Sequence, residues 1–263
     1  MNKKRIVTAV TCCALVGAIA VGGTIALLTS NAHTLKNTFT IGNNYPENAL
    51  TLKEHAVERV TDLNAANHTG YTFGDYAQKS ENDWVTADNS GTKGNSYTDV
   101  IPGSKLDKDP QFTLAKGSPN SWIIAYVDGI TEVIAKGITI NEVTGGSWYK
   151  INVIESGGTV SSASVDSTAA AKEITDGYYL YNDSSSTDAV VNTTSSAVTT
   201  TPLFTRLTAG ETLRAATGTR LNITIKGVAV QVTSDMTFEN SMKSVMQQVI
   251  TTLGTEAGLT TTP

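Results

Sequence analysis

Cysteine is nearly absent from this chain. Of 263 residues two are cysteine, Cys12 and Cys13, side by side in the first apolar segment. Everything after them lacks disulfides and thiolate metal sites, so its stability has to come from packing and hydrogen bonding. Histidine is almost as scarce. His33, His55 and His68 are the three, and none falls in H-E-x-x-H, the spacing that sets two imidazoles and a glutamate on one helical face. There is no G-x-S-x-G elbow, phosphate-binding glycine loop or calcium-loop pattern either. The chain therefore reads as a non-enzyme that needs no cofactor and no metal. Basic charge is also short: 19 Lys and Arg stand against 24 Asp and Glu, a formal net charge of −5. That balance argues against nucleic acid or an anionic membrane surface as partner. Glu, Lys and Leu are few while Thr, Ser, Val, Ile and Gly are many, a composition that suits half-exposed pleated strands and predicts an all-β fold.

What the chain does have is concentrated at its start. Met1 to Arg5 carries Lys3, Lys4 and Arg5, Ile6 to Leu28 is almost wholly apolar or small, and a polar, strand-like stretch follows, which is the layout of a secretory signal. The peptidase cleft is narrow at the −3 and −1 positions, so small residues are needed there. Thr24 and Ala26 meet that need, leaving Leu27 as the new N-terminus, and Ser30-Asn31-Ala32 offers a second site. A run of about 20 apolar residues can instead stay in a bilayer as an anchor. Against this, Gly22 and Gly23 weaken a helix where a signal has to be extended, and no basic cluster follows. The Val10-Thr11-Cys12 context is a poor lipobox, so lipidation is not expected. Cleavage after Ala26 removes both cysteines, three basic residues and no acidic one, leaving 16 basic against 24 acidic residues and a formal charge of −8. Residues 27–263 are then expected to form a single secreted β domain, in contact with the membrane only before cleavage. A domain of that size buries roughly 70–75% of its extended-chain surface.

Alternation marks the strands. Leu35, Asn37, Phe39 and Ile41 share one phase, and Leu106, Phe112 and Leu114 share another. Residues 49–53 read as a strand, but Leu52, Ala56, Val57, Val60 and Leu63 also fall on one helical face, so this segment stays open between the two. Asn64 to Asn95 is dense in Asn, Gly, Asp and Ser and reads as a long insert between strands. Val100-Ile-Pro-Gly103 is a turn signal, Pro presetting φ at one corner and Gly accepting positive φ at the next. Pro110 has no N–H and belongs at an edge or bulge. Ser121 to Val127 is apolar on both faces and predicts a central strand. Ser147 to Ile154 predicts another, and Ser156 to Ala171 is a low-complexity loop. Asn182 to Thr200 is a second long insert. In Leu221 to Thr233 the apolar phase switches at Gly227, which suggests a β-bulge. Met236 to Leu253 carries an apolar stripe and predicts a short amphipathic helix capped by Ser234 or Asp235 and stopped at Gly254. The sequons at Asn67, Asn182, Asn192 and Asn222 reflect composition.

Four separated pieces, in order, carry a resemblance. Gly22-Gly-Thr-Ile-Ala-Leu-Leu-Thr29 running into Asn37-Thr-Phe-Thr-Ile-Gly42, Pro102-Gly103 followed by Lys108-Asp-Pro110, Gly177-Tyr-Tyr-Leu-Tyr181 with Pro202-Leu-Phe204, and Ile223 to Gln231 resemble the pattern of the TasA/camelysin family. The last piece has Gly-Val where the family has Ala-Tyr, and the loop 182–200 is longer than expected. The resemblance implies processing by a SipW-type signal peptidase, a jelly-roll-like antiparallel β-sandwich, and a subunit of extracellular filaments in a Gram-positive biofilm-type matrix. Its partner would be further copies of itself, head to tail, with accessory matrix or anchoring proteins. Residues 27–41 are then a candidate donor strand, with Leu27, Leu28, Leu35, Phe39 and Ile41 as the docking side chains. Leaving a leucine wet forgoes roughly 1.5–3 kcal/mol, which favours docking into a neighbour. Two other readings remain. One is a self-contained secreted adhesion or binding module using the loops 64–95 and 182–200. The other is a camelysin-like metallopeptidase, for which His55 and Glu58 would share a helical face with His68 approaching; such a trio arises by chance in many chains. Asp107 and Asp109 beside Pro110 read as a solvated, charge-flanked turn.

Overall fold

The computed structural model describes residues 29–31, 45–87, 93–142, 147–165, 173–182, 188–213 and 221–254. In chain order the strands are β1 (Thr29–Asn31), β2 (Leu50–His55), β3 (Val57–Arg59), β4 (Tyr76–Gln78), β5 (Trp84–Thr86), β6 (Lys105–Asp107), β7 (Gln111–Leu114) and β8 (Ser121–Asp128). They continue as β9 (Ile138–Glu142), β10 (Trp148–Ser156), β11 (Thr159–Val165), β12 (Gly177–Tyr181), β13 (Val198–Thr199), β14 (Arg206–Ala209) and β15 (Thr224–Gln231). Two helices join them, α1 (Ile130–Ala135) and α2 (Phe238–Gly254). The strands form a six-stranded sheet in the order β1-β15-β8-β12-β10-β11, a four-stranded sheet β13-β7-β2-β5 and a five-stranded sheet β3-β4-β6-β14-β9. Pairing is antiparallel except between β4 and β6. The result is the expected all-β, jelly-roll-like sandwich with a short C-terminal helix.

Two apolar layers explain which residues became which element. Between the large sheet and the two smaller ones lie Ile123, Ala125, Val127, Trp148, Tyr179 and Ala229, facing Leu50, Leu52, Leu106, Phe112, Leu114 and Leu207. On the other side of the large sheet Trp122, Ile124, Tyr126, Val228 and Val230 meet Met242, Val245, Met246, Val249 and Leu253 of α2. Because β8 is covered on both faces, seven of its eight residues are buried, and the alternation that a one-sided strand needs is replaced by a continuous apolar run. Each of the five buried α2 side chains contributes roughly 1.5–3 kcal/mol, gross, to holding the helix down.

Several local expectations change. The ambiguous segment is extended: β2 buries Leu50, Leu52 and Glu54 on one side, whereas Leu63 of the supposed helical stripe is exposed. The insert 64–95 contains β4, β5 and a 3-10 turn at Ala66–His68. The loop 156–171 contains β11, which pairs with β10 through a hairpin turned at Gly157-Gly158. The insert 182–200 is tied to the large sheet by the Ser121–Val191 bridge and by Trp122 Nε1 donating to the Asp188 carbonyl at 2.7 Å. The turn expected at Val100 to Gly103 is present with Pro102 and Gly103 at its corners and closes one residue later, Gly103 at φ +90° and the Ser104 N–H donating to the Ile101 carbonyl at 3.1 Å.

The bulge expected at Gly227 is not there. β15 pairs with β8 without interruption from Thr224↔Asp128 to Gln231↔Ser121. The apparent phase switch has another cause. Ile223 and Ile225 fill the inner layer, then Gly227 and Ala229 shrink to make room while Val228 and Val230 reach the helix-covered face. The helix cap also differs from expectation. Thr237 Oγ1 accepts from the Asn240 N–H at 3.3 Å and Asn240 Oδ1 accepts from the Thr237 N–H at 2.8 Å, a reciprocal cap in place of Ser234 or Asp235.

Candidate functional site

One edge of the six-stranded sheet is finished by the segment that follows the expected signal. β15 uses one side for its eight-residue ladder with β8. Its other side receives β1, with Thr29 opposite Val230, Ser30 opposite Ala229 and Asn31 opposite Val228. Three described pairs at a net 0.5–1.5 kcal/mol per hydrogen bond hold this strand by about 2–4 kcal/mol. The described pairing on that side covers Val228 to Val230 of β15. The expected cleavage residues Thr24, Ala26 and Leu27 lie outside the described residues, as do the expected docking residues Leu27, Leu28, Leu35, Phe39 and Ile41. Of the candidate donor strand 27–41, the described part is Thr29–Asn31, and it is paired within its own chain.

The opposite edge is β11, Thr-Val-Ser-Ser-Ala-Ser-Val, seven residues without a charge. Natural sheets commonly guard an edge with lysine, proline or a bulge on the edge strand. Here a helix side chain does part of that work: Gln247 Oε1 accepts from the Val160 N–H at 2.7 Å and Gln247 Nε2 donates to the Gly158 carbonyl at 3.4 Å.

A polar network stitches the two smaller sheets together, and it overturns the reading of Asp107 and Asp109 as a solvated turn. Both are buried. Asp107 accepts from Arg206 Nε at 2.9 Å, from the Gln78 N–H at 3.2 Å and from the Tyr71 hydroxyl. Asp109 accepts from the His55 N–H at 2.9 Å and faces His55 Nδ1 at 2.5 Å. Nearby, Lys108 Nζ donates to Glu54 Oε2 at 2.6 Å while Glu54 Oε1 accepts from the Asn95 N–H at 2.8 Å. Burial, then the hydrogen bond to Asp107, pushes the Tyr71 phenol up to about 12. Burial also raises Tyr97, with the charges of Glu54, Asp107 and Asp109 adding to it. Burial alone would lower the Arg206 guanidinium, but its hydrogen bond and charge contact with Asp107 leave it raised. Beside this network opens a cleft of about 440 Å³ lined by Asn67, Tyr71, Gln78, Glu81 and Arg206 among others.

The zinc trio does not assemble. His55 sits on a strand and turns to Asp109, its Nε2 3.3 Å from the Glu81 carbonyl. Glu58 meets His68 Nε2 at 3.2 Å, and His68 Nδ1 meets the Asp62 carbonyl at 2.5 Å. Among the described residues no three His, Cys, Asp or Glu side chains gather to hold a metal, and no helix is long and apolar enough to cross a membrane. Reading the sequence missed Glu54, Lys108, Tyr71 and Arg206. A signal was present, since Glu54 continues the inward phase of Leu50 and Leu52, and a charge on a buried phase demands a partner. Compared with known proteins, the chain matches no family model, no curated protein and no solved structure.

Proposed function

We propose that this protein is a secreted structural subunit of extracellular filaments in a biofilm-type matrix, assembled head to tail by donation of the processed N-terminal strand to the next copy. The TasA/camelysin resemblance of the sequence suggests this reading. The observation that carries it is the position of Thr29–Asn31, a few residues past the expected cleavage point and already laid as a strand on the β15 edge. A strand that pairs with a sheet edge through its backbone can do the same for another copy, and head-to-tail addition does not close on itself. Electron microscopy of residues 27–263 beside a version lacking 27–41 tests it. Filaments from the first and none from a folded second are expected; monodisperse particles from both would remove the proposal. In that event the protein is a self-contained binding module, a reading favoured by the open polar cleft beside Tyr71 and Arg206.

A further inference from the structure

We infer that the cleft beside Tyr71 and Arg206 is a binding site for a short stretch of neutral polysaccharide. The cleft lies on the five-stranded sheet and the N-terminal strand on the six-stranded one, so such binding goes beyond the filament reading and does not depend on it. The parallel pair of strands creates the cleft. Because β4 and β6 run the same way, with Tyr76 beside Leu106, their C-terminal ends Gln78 and Asp107 finish side by side. There β14, antiparallel to β6, begins with Arg206 opposite Asp107. All three strand ends line the cleft, and the insert around β4 adds Asn67, Tyr71, Ser80 and Glu81. Asn67, Ser80 and Glu81 are exposed, so a chain can pass across the site, where a closed pocket would admit only a free sugar.

The lining selects the chemistry. A volume of about 440 Å³ falls in the range of roughly 300–1,000 Å³ found for small-ligand sites. The lining has one aromatic ring and no aliphatic side chain, so an apolar ligand gains little here. Two carboxylates, Glu81 and Asp107, stand against one guanidinium, which disfavours phosphate and other anions. A cation is no better served. Asp107 is already met by Arg206, the Gln78 N–H and the Tyr71 hydroxyl, and no three acidic or imidazole side chains gather among the described residues. What fits is a neutral ligand that both donates and accepts, and a sugar hydroxyl does both. The lining keeps both roles in reserve among the described residues. Asn67 Nδ2 donates to Glu58 Oε1 at 2.9 Å and to the Gln78 carbonyl at 3.0 Å, which leaves Oδ1 as an acceptor. Arg206 gives Nε to Asp107 and Nη2 to the Tyr71 hydroxyl, both at 2.9 Å, which leaves Nη1 as a donor. The Tyr71 ring offers an apolar face for the C–H side of a sugar. Its bonds to Asp107 and Arg206 hold it in place before any ligand arrives, which lowers the ordering cost of binding.

Surface plasmon resonance on the immobilised mature protein tests this apart from assembly, because a tethered molecule reports binding whether or not filaments form. The probes are neutral trisaccharides of glucose, galactose, mannose and N-acetylglucosamine, with the corresponding monosaccharides and inorganic phosphate alongside. At least one trisaccharide should bind with a Kd of about 1 mM or tighter, and its monosaccharide at least about tenfold more weakly. Ser80→Trp fills the cleft from an exposed loop position, and Glu81→Ala removes an exposed carboxylate from its lining. Each should weaken the trisaccharide at least about tenfold while the melting temperature stays where it was. Failure of every trisaccharide to bind at that level overturns the inference. So does binding that both variants retain in full, which puts the sugar elsewhere on the molecule. A monosaccharide bound as tightly as its trisaccharide makes a free sugar the ligand and overturns the polysaccharide. Phosphate bound more tightly than every sugar makes this an anion site and overturns it as well.

Discussion

Gly227 and Phe112 occupy one volume. A Cβ placed on Gly227 would lie 2.1 Å from Phe112 Cε1 and 2.7 Å from Cδ1, and Phe112 is fully buried against the face of β15. The glycine is required by the ring and not by the backbone, since β15 runs through it in unbroken register. Gly227→Ala should therefore cost about 3 kcal/mol or more through overpacking, read from chemical denaturation. Adding Phe112→Leu should recover part of that loss, giving a non-additive double mutant. An additive result would refute the account of the glycine.

Glu54 and Lys108 make a second such pair, their side chains 8% and 11% exposed and 2.6 Å apart. Removing one partner leaves a buried charge without compensation, so Glu54→Ala or Lys108→Ala should each destabilise by about 3–5 kcal/mol. Replacing both, with Glu54→Leu and Lys108→Met, should cost less than either single change. Stability of the four chains by urea unfolding gives the cycle directly.

Alkaline stability follows from the phenols. Burial raises Tyr45, Tyr97 and Tyr178, and holds Tyr71 and Tyr126 at about 12, against an ordinary value of about 10. Folding thus favours the protonated form. Its contribution is complete below pH 10 and is lost as pH rises through about 12, because the unfolded chain gives up these protons first. Phenolate absorbance and circular dichroism should change together in one steep step in that window. Early titration of all tyrosines near pH 10 with the fold intact would contradict the burial described.

The reciprocal cap of α2 predicts a smaller effect. Thr237→Ala removes the acceptor for the Asn240 N–H and should lower stability by about 1 kcal/mol, whereas Ser234→Ala, at the position the sequence alone nominated, should change little. Thermal denaturation of the two variants separates these outcomes.

How much of this was legible beforehand depended on whether the controlling contact was local. The sequence by itself determined that the chain is β-rich, that Ser121 to Val127 is a central strand, that the chain turns at Pro102-Gly103, and that an amphipathic helix lies near the end. Each of these is written in a repeat of two or 3.6 residues, or in the allowed φ of one or two positions. What the tertiary structure decided were matters of partnership across distance. Asp107 and Arg206 are 99 residues apart in sequence and His55 and Asp109 are 54 apart, so no local pattern could tell a buried network from a solvated turn. The same holds for Gly227, whose reason is a ring on β7. It holds for β1 as well, whose place beside β15 joins residues at opposite ends of the described chain. Periodicity reports which face of an element is dry; only folding decides what the polar and the missing side chains on that face are meeting.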